Sequence, residues 1–495
     1  MTDSIPRRET LKLLMLATAM PMAIRPLRRH VAPAPSDDLS EGLAALVAKH
    51  KMPGALVGVY HQGRVRTAAA GIANLNTGAP MAPALCFVTG SITKVWTCTL
   101  MMTFVDEGLI DLERPLIEYL PHLKFADASV TRLITTRHLL NHSSGLDAGD
   151  YIADFGEGPA ANRLYVETLA KLGQIHPLGK YSSYNNAGWV LAGHLMEFLT
   201  GKSWHQLLTE RVIKPLGATR TYPDAEDGAL HGVVVGSVPD PKRPGEHMAT
   251  PKFLLPKTFA PAGSTLLTTL EDNLLLARMH MQGGIAPNGN RIISEQSARA
   301  MATRTIDHPS GPASGFGLGW FHALPGGQVT LSHGGGSNGG RASLTVVPGS
   351  DFAWAGFVNS NASDAFLADF GAWVRKHHQP NPPPEPPDEA PAGPIDKSRF
   401  VGVYRRTTTK TTIREEGNAL SVESEWIAAE APGTEAYVIG RPVRFAMRPS
   451  APNALVPAAA PPGSRPAPWI FLEPDSRGKF GLMYAGARLS RRVDG

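Results

Sequence analysis

The stretch that decides the fold runs from residue 87 to residue 108 and reads FVTGSITKVWTCTLMMTFVDEG. A short strand-like start precedes Ser91, and the long apolar run after it predicts a helix that ends at Gly108. The helix opens on SITK (residues 91–94), an S-x-x-K motif. Three-residue spacing on a helix places Lys94 on the same face as Ser91, within reach of its hydroxyl. The segment therefore predicts a serine nucleophile that a lysine activates.

The chemistry of this motif depends on its surroundings. A helix N-terminus favours developing negative charge, and a lysine in a dry pocket loses its proton near neutral pH. Four residues alone are not specific, because SRGK (residues 476–479) is a second copy in a turn between predicted strands. Only the first copy opens a helix, so we assign the nucleophile to Ser91.

A second candidate element is Tyr184-Asn185-Asn186, the one Y-x-N among ten tyrosines. Nearby cations would lower the pKa of the tyrosine and let it act as a general base. Asn186 could orient both Lys94 and a substrate carbonyl. The alternative interpretation is an asparagine that caps a helix beside a tyrosine that packs.

A third candidate element is His333-Gly334-Gly335-Gly336, which follows a strand-like run. Gly334 and Gly335 would let a substrate backbone approach closely. The amide N–H of Gly336, together with that of Ser91, could form an oxyanion hole. The alternative is a simple glycine-rich hairpin loop.

In chain order the three elements resemble the serine β-lactamase and penicillin-binding-protein superfamily, class C-like branch, over about residues 38–375. Three further segments agree: ITTRHLLNHSSGL (134–146), PAGS (261–264) and GFGLGW (315–320). The resemblance implies an α/β (α+β) fold, an antiparallel sheet flanked by helices with a helical subdomain that holds Tyr184.

The resemblance also implies a serine hydrolase that works through an acyl-enzyme on Ser91. His333 stands where a β-lactamase carries the lysine of K-T-G, and a histidine is mostly neutral at pH 7. We therefore expect small esters or amides, of the D-amino-acid peptide type, ahead of antibiotics. Two alternatives stay open: a class C-like β-lactamase, and a penicillin-binding receptor that deacylates slowly.

No metal or cofactor is expected. His138 and His142 are four residues apart, a spacing that can bind zinc, but no H-E-x-x-H motif accompanies them. We find no phosphate-binding loop and no dinucleotide motif. The net charge is +5, of which residues 1–30 contribute +4, so no nucleic-acid-binding face is predicted. The expected partner is a small-molecule ester or amide, and the oligomeric state stays unknown.

Composition divides the chain into four parts. Residues 1–34 resemble a twin-arginine export signal with Arg7-Arg8, which predicts a periplasmic protein; a basic N-terminal extension is the alternative. The hydrolase domain follows at 38–378, and 379–395 is a proline-rich linker. Short strands then predict a small all-β barrel at 396–495, which resembles the lipocalin-type barrel of some family members.

Two further expectations concern the whole chain. No apolar run beyond the leader reaches the length of a membrane helix. Cys86 and Cys98 predict buried thiols, with a single bridge between them as the alternative. Because of the linker, we also expect the barrel to fold separately and its removal to change mainly KM or substrate range.

Overall fold

The computed structural model describes residues 38–384, 395–417, 419–427, 442–459 and 467–494. The predicted export signal at 1–34 therefore lies outside the described residues, and so does a strand predicted at 436–439. Export and periplasmic location stay predictions. No helix within the described ranges combines the length and the apolar character needed to cross a bilayer.

The hydrolase domain is built on one nine-stranded antiparallel sheet of order β3-β2-β1-β13-β12-β11-β10-β9-β8. Its strands are β1 Gly54–His61, β2 Arg64–Asn74, β3 Ala79–Pro80, β8 Ile306–His308, β9 Gly311–Phe316, β10 Phe321–Ala323, β11 Thr330–Ser337, β12 Gly340–Val347 and β13 Phe352–Val358. Two small two-stranded sheets pair β4 Phe87–Val88 with β7 Leu267–Thr268 and β5 Ser237–Pro239 with β6 His247–Ala249. The predicted antiparallel sheet is confirmed.

Strands from the two ends of the hydrolase domain, β1 and β13, pair with each other inside this sheet. β1 pairs with β2 through a tight hairpin whose turn residues Gln62 and Gly63 have φ of +47° and +82°. Its other edge pairs with β13, about 300 residues later in the chain. All of β1 except its last residue is buried, as expected for a strand covered on both faces.

Helices cover both faces of the sheet. α1 and α13 pack with one face in an apolar cluster, whereas α2 and α11 bury the other face in the larger core. The helices are α1 Asp38–Lys49, α2 Thr93–Asp106, α3 Leu116–Tyr119, α4 Ala128–Leu133, α5 Thr136–Leu140, α6 Gly158–Thr168, α7 Ala187–Thr200, α8 Trp204–Leu208, α9 Lys214–Leu216, α10 Ala225–Ala229, α11 Leu270–Met281, α12 Glu295–Ala302 and α13 Asp364–His378. Helices α3 to α10 form the predicted helical subdomain.

Helix α2 runs through the core, so it is buried from Thr93 to Phe104 and has no polar face. Its threonine hydroxyls find partners inside the protein: Thr97 donates to the carbonyl of Pro261 at 2.8 Å, and Thr99 donates to that of Val95 at 2.9 Å. The helix begins later than predicted, because Ser91 lies in a preceding 3-10 turn, Gly90–Ile92. Cys86 and Cys98 are both free and buried.

The C-terminal part forms a closed eight-stranded barrel, as predicted. Its strands are β14 Gly402–Arg406, β15 Thr409–Glu416, β16 Ala419–Trp426, β17 Val443–Ala451, β18 Ala454–Pro457, β19 Trp469–Pro474, β20 Phe480–Ala485 and β21 Arg488–Arg492. Two of them, β18 and β21, were not expected from the sequence. The interior is filled by aromatic and aliphatic side chains such as Phe400, Tyr404 and Phe471. Its likeness to lipocalins stays a prediction.

The barrel packs against the helical subdomain. Ile175 of the subdomain joins an apolar cluster with barrel residues that include Ile470, Tyr484 and Leu489. The Arg491 guanidinium donates to the Ile175 carbonyl at 2.6 Å. This interface brings the β20–β21 turn next to the loop that carries Tyr184, which matters for the site described below.

Candidate active site

Ser91 is held at the mouth of a cavity of about 260 Å³. The backbone of the turn that carries Ser91 lies very close to two other backbone segments, and this close approach explains why glycine occupies positions 90 and 263. A Cβ on Gly90, where φ is +59°, would lie 2.6 Å from the backbone of Gly336. A Cβ on Gly263 would lie 2.3 Å from the Gly90 carbonyl oxygen. Glycine is required at both positions because backbones approach too closely for any side chain.

Lys94 lies beneath the serine, as the S-x-x-K spacing predicts. Its Nζ donates to the Ser91 Oγ at 3.0 Å and to the Ala262 carbonyl at 2.5 Å. The side chain is fully buried, and this burial, assisted by the positive charge of Arg488, lowers the pKa of Lys94 well below its usual value. A neutral amine held against a hydroxyl can accept its proton.

Tyr184 lies on the same cavity, in the loop before α7. Its backbone N–H donates to the Ala487 carbonyl of the barrel at 2.8 Å, while its hydroxyl has no hydrogen-bond partner among the described residues other than Ser91. Burial raises the pKa of Tyr184, and the Ser91 hydroxyl and Arg488 only partly offset this. The phenol is therefore protonated at neutral pH.

His333 faces the cavity from within strand β11, which continues through the three glycines instead of ending before them. Its Nδ1 lies 2.7 Å from the Gly334 carbonyl and must donate to it, which leaves Nε2 as an acceptor without a partner. Burial, followed by the charge of Lys94, lowers the pKa of His333 to about 3. The imidazole is neutral at pH 7.

The structure also places the predicted glycines of β11 and Asn186 relative to the cavity. Gly335 does not line the cavity, since its α-carbon faces Thr89 and a Cβ there would lie 2.0 Å from the Thr89 carbonyl oxygen. Asn186 makes no side-chain hydrogen bond to Lys94 within the described ranges, and the Lys94 amine donates instead to the Ser91 Oγ and the Ala262 carbonyl. Gly334 does line the cavity, and Gly336 lies beside the turn of Ser91.

The zinc spacing of His138 and His142 is not used in the structure. His138 Nδ1 accepts the Thr135 backbone N–H at 3.1 Å and caps α5, whereas His142 Nδ1 accepts the backbone N–H of Asn185 at 3.0 Å. Within the part of the chain that the structure describes, no group of three or more His, Cys, Asp or Glu residues could hold a metal ion.

Arg488 of the barrel is a cavity residue that sequence reasoning missed. Its Cζ lies 4.9 Å from the centre of the Tyr184 ring. Its Nε lies 2.7 Å from Asp150, in an ionic contact whose angle does not make a hydrogen bond. The same carboxylate accepts from Arg406 at 2.8 Å, so one acid is shared by two arginines.

No local signal in the sequence points to Arg488. It lies in R-L-S-R-R (residues 488–492), a pattern typical of a solvent-exposed edge strand. It is also separated from Ser91 by about 400 residues of sequence. The cavity is lined by Ser91, Tyr184, Phe321, His333, Gly334, Ala487 and Arg488, two of which come from the barrel.

Comparison with known proteins identifies the family. The family model described as Beta-lactamase matches residues 39–375. This chain belongs to the beta-lactamase family. It is 33% identical to Penicillin-binding protein 4 of Amycolatopsis lactamdurans over 386 residues, which cover 74% of this chain and 96% of that protein. As a member of this family the protein is a serine hydrolase.

Solved structures show the same fold. The crystal structure of SurE superposes with a TM-score of 0.67 at 24% identity and covers 92% of this chain and 99% of its own. A D-amino acid amidase from Ochrobactrum anthropi SV3 gives a TM-score of 0.55 at 19% identity, over 66% of this chain and 92% of its own. At these identities the likeness to the two solved structures shows a shared fold, and it confirms the predicted architecture.

Proposed function

We propose that the protein hydrolyses small esters or amides of the D-amino-acid type through an acyl-enzyme on Ser91. The observation that carries this proposal is the 3.0 Å contact between the Lys94 amine and the Ser91 hydroxyl inside a buried pocket. Burial lowers the pKa of Lys94, so the amine is largely unprotonated and can accept the proton of the serine hydroxyl.

In the first half-reaction Ser91 Oγ attacks the substrate carbonyl carbon while its proton passes to Lys94 Nζ. The oxyanion of the tetrahedral intermediate would be stabilised by the N–H groups of Ser91 and Gly336. When the carbon–heteroatom bond breaks, the leaving alcohol or amine takes a proton from Tyr184, which Lys94 then reprotonates. We assign Tyr184 as a general acid and Lys94 as the base, because burial keeps the phenol protonated.

In the second half-reaction water attacks the acyl carbon, and its proton passes to the same amine–phenol pair. The bond to Ser91 Oγ breaks, the serine regains its proton, and the carboxylic acid leaves. Each proton taken in one half-reaction is returned in the same half-reaction, so the enzyme ends in its starting state.

The substrate class rests on the cavity and on the family. A cavity of about 260 Å³ suits a small acyl group. Neutral His333 offers an acceptor to a substrate N–H or O–H, and Arg488 offers a positive charge to a carbonyl or carboxylate. Structural neighbours include a D-amino acid amidase and SurE with D-Leu, which support D-configured substrates.

A second candidate function is acylation by β-lactams. The sequence argued against them because His333 replaces a lysine, yet the structure supplies a cation from the barrel instead. Arg488 could bind the carboxylate of a penicillin or cephalosporin. The relative with 33% identity is named Penicillin-binding protein 4, which supports this alternative.

One experiment separates these functions. A p-nitrophenyl ester, a D-amino-acid amide and a chromogenic cephalosporin are each followed for turnover and for a burst of one product per protein. Sustained turnover of the first two supports the hydrolase, whereas a stoichiometric cephalosporin burst with a stable adduct mass supports the penicillin-binding receptor. Absence of any adduct on Ser91 during ester turnover would overturn the acyl-enzyme proposal.

We also propose export through the twin-arginine pathway, which rests on residues 1–34 alone. Cell fractionation of a reporter fusion tests it, with Arg7-Arg8 replaced by two lysines as the matched control.

A further inference from the structure

His142 makes three contacts with the loop that carries Tyr184. Its backbone carbonyl accepts the N–H of Ser183 at 2.8 Å, and its Nδ1 accepts the N–H of Asn185 at 3.0 Å. Its ring stacks on the Tyr184 ring with centres 4.3 Å apart and planes 30° apart. One buried residue therefore contacts three consecutive residues of the loop.

The backbone of His142 has an unusual conformation for a histidine. Its φ is +62°, in the left-handed region, which is unfavourable for a residue with a Cβ atom and is usually occupied by glycine. Gly145, three residues later, takes a similar φ of +69°. Strained non-glycine residues are frequent at functional sites, where the side chain is needed for a role that outweighs the strain.

The hydrogen bond to Asn185 also fixes the charge and the tautomer of the imidazole. A backbone N–H can only donate, so Nδ1 must be unprotonated and the ring proton lies on Nε2. A protonated ring would set one N–H against another. Burial lowers the pKa of His142 well below its usual value, and Lys94 on α2, His333 on β11 and Arg488 on β21 lower it further.

We propose that His142 is a positioning residue: its neutral imidazole, by stacking on the phenol and accepting the Asn185 N–H, aims the Tyr184 hydroxyl at Ser91. The phenol needs such a support because no residue of the described structure other than Ser91 interacts with its hydroxyl through a hydrogen bond. This inference rests on the proposed role of Tyr184 as the proton donor.

The test uses three variants of His142 in two backgrounds. His142→Asn keeps an acceptor near the Nδ1 position and tolerates a positive φ, whereas His142→Gly relieves the strain but removes both ring and acceptor. His142→Phe keeps a ring without the acceptor. With a D-amino-acid amide, whose amine leaving group must take up a proton, we expect kcat of the Asn variant within about fivefold of the unmodified protein and losses of about 10- to 100-fold for the Gly and Phe variants.

The Tyr184→Phe background decides whether the effect passes through the phenol. If His142 acts by aiming that hydroxyl, His142→Phe should cost less than about threefold further when the hydroxyl is already absent. An equal loss in both backgrounds, or an Asn variant no better than the Gly variant, would overturn the proposal. If Phe does not fold, as judged by its melting temperature, the Asn and Gly pair in both backgrounds gives the same decision.

The same data separate this inference from the proposed mechanism. If Tyr184→Phe alone leaves kcat unchanged, the general-acid assignment fails and so does the role of His142. If Tyr184→Phe lowers kcat but His142→Gly does not, only the positioning role fails.

Discussion

Replacing Arg488 by glutamine should move the acid limb of the pH profile of kcat/KM to higher pH. Activity requires neutral Lys94, so this limb reports the pKa of Lys94. Arg488 and Lys94 lie 4.9 Å and 5.0 Å from the centre of the same Tyr184 ring, so their charges are at most about 10 Å apart. Removing a nearby cation makes protonated Lys94 less unfavourable and raises its pKa.

The size of this effect follows from Coulomb's law. Two unit charges about 10 Å apart repel by roughly 1.7 kcal/mol at an effective dielectric of about 20, equivalent to about 1.2 pH units. Asp150 carries the opposite charge at 2.7 Å from Arg488 and offsets part of this repulsion. We therefore expect the limb to rise by about 0.5 to 1 pH unit.

The assay is designed to isolate charge from substrate binding. A neutral ester such as p-nitrophenyl acetate is used across the pH range, so the charge of the substrate does not change with the variant. Arg488→Lys is the matched control and should leave the limb nearly in place, because it keeps the cation. A limb that stays fixed in the Gln variant, or that moves equally in both variants, would refute the reasoning.

Three more predictions concern the nucleophile, the barrel and acid stability. Ser91→Ala should abolish both ester turnover and labelling by a fluorophosphonate probe, while Ser476→Ala, in the second S-x-x-K copy, should change neither; labelling that persists in the first variant would refute the assignment. A chain that stops before residue 395 should lose about 10²-fold or more in kcat, and not merely in KM, because the Tyr184 N–H loses its barrel acceptor; kcat within a few-fold of the full chain would contradict this. His333 has a pKa of about 3 in the folded protein, so the unfolded chain binds its proton first and stability falls as the pH drops below about 6.5, by about 2 kcal/mol at pH 5. Denaturant unfolding measures the free energy of unfolding at pH 7 and at pH 5. Its decrease between these pH values should be smaller in His333→Gln than in the unmodified protein by about that amount, and an equal decrease in both proteins would count against the buried neutral histidine.

The truncation prediction replaces the one made from sequence. The proline-rich linker indicated a barrel that could be removed with an effect mainly on KM. In the structure Ala487 and Arg488 line the cavity that contains Ser91, and the Leu489 N–H donates to the Ser183 hydroxyl next to Tyr184. Linker composition reports that two parts are joined by a stiff segment, but it carries no information about which surfaces those parts share.

The parts of the site that sequence could predict are the local ones. Ser91 and Lys94 are three residues apart on one turn, so their contact follows from helix geometry alone. Tyr184 and His333 came from the family resemblance, because only tertiary structure brings them to Ser91. The sequence predicted a strand-like run only up to His333 and left a glycine-rich hairpin loop open as the alternative, whereas in the structure Gly335 lets the strand continue close to the Thr89 backbone.

The residues that sequence missed depend on distant contacts. Arg488 gains its place from the docking of the barrel, which no local pattern encodes. His142 was considered only as a metal ligand, since its spacing to His138 is visible while its positive φ is not. A backbone in the left-handed region is predictable for glycine and rarely for histidine.

The carboxylate of Asp150, which two barrel arginines share, bears on when the protein becomes active during its synthesis. Ser91 leaves the ribosome about 400 residues before Arg488, an interval of about 20 to 80 s at usual rates of synthesis. Until strand β21 pairs and supplies its arginine, the loop of Tyr184 has no partner on that side, and Asp150 lacks one of its two cations. The nascent hydrolase should therefore stay inactive while its nucleophile is already in place, and activity should appear in one late step when the barrel closes.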